Sequence, residues 1–272
     1  MAEMTAMAEI GPLKAVLWDV DGTIAETERD GHRVAFNRAF EACGLPWRWS
    51  EALYGELLHT TGGRERLLHD MQTRPMAPAR LADREALART VHEKKNALYA
   101  DLVGTGLIPL REGVANLMVQ CRERGLRMGI ATTTSRSNVD ALLRWHFGAA
   151  WAQQFAVVVC GEDVQRKKPD PAVYEQALRT LGIGALEAVA IEDSPAGVAA
   201  ARAAGIPAVV TRSAYFEQAT ISAALAIGPG LHTRRGWLPT LRAGADEREP
   251  VGLKDIEAWR AAADSASHFA AE

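Results

Sequence analysis

The sequence predicts an α/β protein: a Rossmann-like, doubly wound parallel sheet with an inserted helical cap domain. Three observations carry that expectation. After Gly113, apolar runs of strand length alternate with helical patterns, as in βα units that wind a parallel sheet. An earlier apolar run, over 14–20, is cut off from them by a long stretch with helical spacing and no convincing strand. Acidic, hydroxyl and basic residues fall at or just after the ends of the apolar runs, the edge where open α/β sheets place ligands.

Residues 14–20 read as the first strand, ending in Asp19-Val20-Asp21-Gly22-Thr23. Alternation puts Asp19 and Asp21 on one side at its C-terminal end, and Gly22 permits a sharp exit. Val34, Ala35, Phe36, Ala39 and Phe40 predict a helix within 27–43, stopped by Gly44-Leu45-Pro46. Leu53, Leu57 and Leu58 make a second helical face, and Leu67, Leu68 and Met71 a third after Thr60-Thr61-Gly62-Gly63. Residues 81–98 form a long, charged, amphipathic stretch. A helix through Leu117 and Cys121 then ends at Gly125. Strands follow at 127–132, 155–160, 188–191, 206–211 and 223–227. Helices are expected at 138–147, at 169–181 with Pro171 in the first turn, and at 195–204. A short helix is expected at 253–263, with 265–272 frayed. The expected organisation is an α/β core at 1–29 and 106–230, a helical cap at 30–105 and a C-terminal extension at 231–272.

Composition narrows the function classes. The chain of 272 residues is 48% hydrophobic and 24% charged, as ordinary globular proteins are. A net charge of -3 gives no reason to expect nucleic acid or a membrane as partner, and no apolar run is long enough to span a bilayer. Cys43, Cys121 and Cys160 lack metal-like spacing and fit a reducing compartment. Residues 1–12 carry Glu3 and Glu9 and have no basic-then-apolar pattern, so no signal peptide is expected and the location expected is cytoplasmic.

Each chemical feature has a bland alternative when taken alone. Asp19 and Asp21 suit a hard cation and acid–base work, or make a capped strand with an acidic turn. Thr132 and Thr133, in Ala131-Thr132-Thr133-Thr134-Ser135, suit a phosphoryl group at a helix entrance, or an N-cap. Lys168, ahead of Pro169, can aim an ammonium at a phosphate, or lie in solvent. Glu192 and Asp193 suit Mg²⁺ beside Asp19, or cap a helix. Gly161-Glu162-Asp163 reads as a structural acidic turn.

In chain order on one sheet edge, these motifs resemble the haloacid dehalogenase superfamily of phosphotransferases. The resemblance implies Asp19 as the nucleophile that forms an aspartyl-phosphate, and Asp21 as general acid and then base, with its pKa tuned upward. It implies Thr132 on the transferring phosphoryl group, with Lys168 stabilising that group and the nucleophile. Mg²⁺ would be held by the Asp19 carboxylate, the Asp21 backbone carbonyl and Asp193, with Glu192 alongside. An aspartate at the second position disfavours dehalogenation, because halide departure needs no proton.

The cap resembles the CbbY-like family, the xylulose-1,5-bisphosphate phosphatases associated with Rubisco-based carbon fixation. The residues that carry this are Ala25-Glu26-Thr27-Glu28, His32-Arg33 and Thr60-Thr61-Gly62-Gly63-Arg64-Glu65-Arg66. Arg64 stands where that family often has lysine. The resemblance implies a small-molecule sugar phosphate as ligand. Gly62, Gly63, Arg64 and Arg66 would receive a second phosphate, and Glu26, Glu28 and His32 would address sugar hydroxyls. Taken alone, the Gly62–Arg66 run equally reads as a loop and helix start with solvated arginines, and His32 as a helix-surface residue. A β-phosphoglucomutase-like sugar phosphomutase and a non-catalytic sugar-phosphate-binding regulator are the rival functions. A phosphonoacetaldehyde hydrolase would need a desolvated cap lysine, and Lys94 and Lys95 sit in a charged helix with no sign of desolvation. Trp47 and Trp49 read as packing, or as walls of the cleft.

Overall fold

The computed structural model describes residues 11–240 and 246–269. Expectations for 1–10, 241–245 and 270–272 lie outside the described residues. The elements are β1 (Ala15–Trp18), α1 (Arg33–Ala42), α2 (Glu51–Leu57), α3 (Gly63–Asp70), α4 (Leu81–Val103), α5 (Val114–Glu123), β2 (Arg127–Ala131), α6 (Arg136–Phe147), β3 (Val157–Val159), α7 (Ala172–Leu181), β4 (Ala188–Glu192), α8 (Pro195–Ala203), β5 (Ala208–Thr211), β6 (Ala226–Gly228) and α9 (Leu253–Phe269). Two departures are informative. The helix predicted from residue 27 opens as a π-helical turn, Glu28–His32, before α1. The last helix runs on to Phe269 instead of fraying from 265; within it Ser265 Oγ donates to Ala261 O.

The six strands lie in the order β3-β2-β1-β4-β5-β6, with every pairing parallel. The order reverses between β1 and β4, which makes their C-terminal ends the natural ligand crevice. Both faces are covered. Val16 and Trp18 pack with α5, α6 and α9, whereas Ala15 and Leu17 pack with α7 and α8. Burial on both faces explains the apolar strand runs.

The cap has its own core of Phe36, Phe40, Trp47, Trp49, Tyr54, Leu67, Met71 and Val91. Trp49 is fully buried among Phe36, Phe40 and Tyr54 and donates from Nε1 to Asp70 at 2.8 Å. Trp47 packs edge-on against Phe40, with the Arg74 guanidinium over its ring. Neither tryptophan walls the cleft; both pack in the core of this small helical unit, where aromatic bulk buries much area. The chain enters and leaves the cap side by side: Ala25 bridges Leu110 antiparallel, and Arg111 N donates to Ile24 O at 2.8 Å. Past β6, Leu238 bridges Ile227 antiparallel, and Trp237 stacks on Trp259 of α9 with centroids 4.8 Å apart.

Candidate active site

β1 stops where Asp19 begins, with Asp19 N still bonded to Ile191 O at 3.0 Å. This sets Asp19 beside the end of β4, which carries Glu192 and Asp193. Gly22 turns the chain away at φ +81, and a Cβ there would fall 2.1 Å from Asp193 Oδ2. Only glycine serves both the backbone angle and that approach.

Lys168 is buried, with Nζ 2.7 Å from both Asp19 Oδ1 and Glu192 Oε1. Tyr174 OH donates to the same Glu192 oxygen at 2.5 Å, and Ser213 Oγ donates to Asp193 Oδ2 at 2.6 Å. Oxygens of Asp19, Glu192 and Asp193 lie within 4.8 Å of one another. Burial pushes the Asp19 carboxyl up to about 8, against the pull of Lys168. Asp193 is raised well above the usual carboxylate range by burial and by Asp19 and Glu192, while Ser213 and Arg111 oppose this. Three buried carboxylates thus face one ammonium, and a divalent cation fits the remaining negative charge. Asp19 and Asp193 line the cavity between the strand ends and the cap; Glu192 does not. Glu192 supports Lys168 from behind.

The Asp21 side chain points to the cap side. Its Oδ1 accepts from Thr27 Oγ1 at 2.5 Å and from His32 Nε2 at 2.9 Å. Burial raises this carboxyl, but the His32 charge and the bonds from His32 and Thr27 outweigh it and hold the pKa well below the usual range. The expected upward tuning is therefore reversed in the docked arrangement. His32 is buried rather than on a helix surface, its ring stacked on Tyr99 at 4.3 Å.

Behind His32 stands Lys95, which overturns the expectation of an undesolvated cap lysine. It is 2% exposed, with Nζ 2.8 Å from His32 Nδ1 and over the rings of Phe36 and Tyr99. Burial lowers it to about 7, although Asp21 and Glu28 favour its charge. Lys94 is exposed, as expected. Ala88, Val91, Lys95, Tyr99 and Leu102 form the buried stripe of α4, so helical spacing alone could have found Lys95.

The other predicted residues divide. Glu28, His32, Gly62, Gly63, Arg66, Thr132 and Thr133 line the cavity with Asp19, Asp21, Lys168 and Asp193. Arg66 is buried: Nη1 donates to Tyr54 OH at 2.7 Å and lies 3.6 Å from Glu28, whose carboxylate accepts from Tyr54 OH at 2.5 Å. Arg64 does not join them. Its side chain is 50% exposed, beside Glu65 on a neighbouring groove, because two residues along a helix, about 200° of turn, carry it off the Arg66 face. Glu26 sits in a separate groove at the hinge, 3.5 Å from Arg111 and accepting from Ala214 N. Ser135, at the end of the threonine run, and Lys167, beside Lys168, also line the cavity, as do His92, Asn138 and Phe216, which no sequence motif marks. The cap is docked on the core: Lys167 pairs with Glu65 at 2.8 Å, Thr61 Oγ1 donates to Lys168 O, and Asn138 Nδ2 donates to Asn96 Oδ1 at 3.2 Å.

A parallel sheet that gathers paired aspartates, a lysine and an acid at its switch point beneath a helical cap defines a capped phosphoric monoester hydrolase. The haloacid dehalogenase-like hydrolase family matches residues 13–205, and the chain belongs to that family. It is 42% identical over 247 residues to the plasmid CbbY protein of Cupriavidus necator, covering 91% of this chain and 96% of that protein. CbbY of Rhodobacter capsulatus is 44% identical over 214 residues, covering 78% of this chain and 91% of that one. A crystal structure of a CbbY variant from Rhodobacter sphaeroides, in complex with xylulose-(1,5)bisphosphate, superposes with a TM-score of 0.73 at 40% identity, covering 78% and 92% of the two chains. Among the described residues, no helix is long and apolar enough to cross a membrane.

Proposed function

We propose that this enzyme is a Mg²⁺-dependent cytoplasmic phosphatase that removes one phosphate of xylulose 1,5-bisphosphate, in support of Rubisco-based carbon fixation. One observation carries the reading: a single cavity holds Asp19, Thr132 and Lys168 at its core end and the buried Arg66 with Gly62 and Gly63 at its cap end. A substrate with two dianionic ends matches cationic and N–H groups at both. The Rhodobacter sphaeroides relative bound to that bisphosphate supports the choice of sugar. We take residues 30–105 as the cap and 1–29 with 106–230 as the core, on the strength of the Ala25–Leu110 bridge at the crossing.

Asp19 attacks phosphorus, the ester P–O bond breaks, and the leaving oxygen takes a proton from Asp21, which the negative charge of the entering substrate brings to its protonated form against the pull of His32 and Thr27. Asp21 then takes a proton from water, which attacks the aspartyl-phosphate, releases inorganic phosphate and restores Asp19. Lys168 stabilises charge spread over the phosphoryl oxygens. Asp19, Asp193 and the Asp21 carbonyl would hold Mg²⁺, which when bound neutralises charge on the nucleophile and the phosphoryl group. Phosphate release should be screened over sugar mono- and bisphosphates, with and without Mg²⁺. Preference for xylulose 1,5-bisphosphate is expected; an outright preference for monophosphates would remove the bisphosphatase reading.

A further inference from the structure

The loop after β5, residues 212–219, touches both the acid cluster and the cap. At its start, buried Ser213 donates to Asp193 Oδ2 at 2.6 Å. Two residues on, the Tyr215 ring leaves the core and lies 5.8 Å from the Tyr54 ring of α2, and both Tyr215 and Phe216 pack on the cap's apolar cluster. Gly55 makes the room: a Cβ there would stand 3.1 Å from the Tyr215 ring.

The loop is braced along its length. Arg212 Nη1 donates to the carbonyls of Phe216, Glu217 and Ala219 at 3.1, 2.8 and 2.9 Å. From the returning linker, Arg111 donates to Arg212 O at 2.6 Å, to Thr211 O at 3.0 Å, and to Gly22 O in the catalytic turn. From the outgoing linker, Glu26 accepts from Ala214 N at 3.3 Å. A stiff piece of chain therefore joins Asp193, the cap surface and both linkers.

We propose that this loop couples cap docking to divalent-cation binding, with Tyr215 and Ser213 as its two positioning residues. Seating the Tyr215 ring over Gly55 fixes the loop, and the fixed loop holds Ser213 on one oxygen of Asp193. That orients the carboxylate for a cation shared with Asp19. Such coupling is reciprocal, so the cation also favours the docked cap. A cap that closes on substrate thereby tightens the ion where and when charge must be neutralised. The inference rests on the assignment of Asp193 to the metal site.

The test is Mg²⁺ binding by calorimetry on the full chain without substrate. Tyr215→Ala and Ser213→Ala should each weaken binding, by about fivefold or more for a coupling of ordinary size. The double variant should bind no more weakly than Ser213→Ala alone, because both changes act through one contact. Gly55→Leu, in the cap, should reproduce the loss at the core metal site, and Ser213→Thr should restore it. Wild-type affinity in both Tyr215→Ala and Gly55→Leu, or fully additive losses in the double variant, overturns the coupling. Asp193→Ala separates the two failures: if it binds Mg²⁺ as wild type does, the metal assignment itself falls, and this inference with it.

Discussion

Lys95 stands 2.8 Å from His32 Nδ1, so a cap ammonium backs the ring whose other nitrogen bonds Asp21. Its burial has a consequence for stability. The lysine falls to about 7 in the folded protein from an ordinary 10.5, so between those values the unfolded chain binds the extra proton. Stability therefore rises with pH across that window; the penalty is full below about 7 and gone above 10.5. Lys95→Met removes it. The stability difference between variant and wild type should favour the variant most below pH 7 and fade as pH rises, by about 1.4 kcal/mol for each tenfold loss of proton affinity on folding. Denaturant titrations at several pH values measure this. A flat difference would mean that the lysine keeps its ordinary proton affinity.

Asp19→Asn should abolish turnover with the fold intact by circular dichroism. Asp21→Asn should still accept a phosphoryl group from an aryl phosphate, whose leaving group needs no proton, and lose ~10²–10⁴-fold with sugar phosphates. Near-normal activity in Asp19→Asn would sink the aspartyl-phosphate mechanism.

Chelation should stop phosphate release and added Mg²⁺ should restore it, because three acids share one buried cluster with a single lysine. Asp193→Ala should raise the Mg²⁺ concentration needed for half-maximal rate. Full activity in excess chelator would remove the metal from the mechanism.

Arg66 and Arg64 should separate cleanly. Arg66→Ala should lower kcat/KM for the bisphosphate far more than for a sugar monophosphate, each lost charge-assisted contact costing about 1.5–3 kcal/mol. Arg64→Ala, half-exposed and off the cavity, should affect the two substrates little and alike. Equal losses on both substrates in Arg66→Ala would mean that it does not read the second phosphate.

What could be read from the sequence is what contiguity encodes. Asp19 and Asp21, Thr132, Lys168 and Asp193 announce themselves because strand ends concentrate them in short motifs, and the parallel sheet follows from apolar runs at βα spacing. Arg64 and Arg66 look equivalent in a motif, and only a helix face separates them. Lys95 hides among charged neighbours on α4, although it occupies the buried stripe. The depressed Asp21 carboxyl was beyond reach altogether: it depends on Thr27 and His32 arriving from the turn that leads into the cap, a tertiary arrangement that no local pattern states.

The bridge that Leu238 makes to β6 has a consequence for solution behaviour. β6 is an outer strand of the sheet, and a bare outer strand offers its unpaired N–H and C=O groups to any other chain. Here Ile227 exchanges both bonds with Leu238, at 2.8 and 2.9 Å, and Trp237 seats on Gly228. The polypeptide beyond β6 therefore acts as a seal. Shortened after Gly228, the chain would expose a sticky β edge and also uncover the sheet face that α9 covers, so self-association would come together with lost packing.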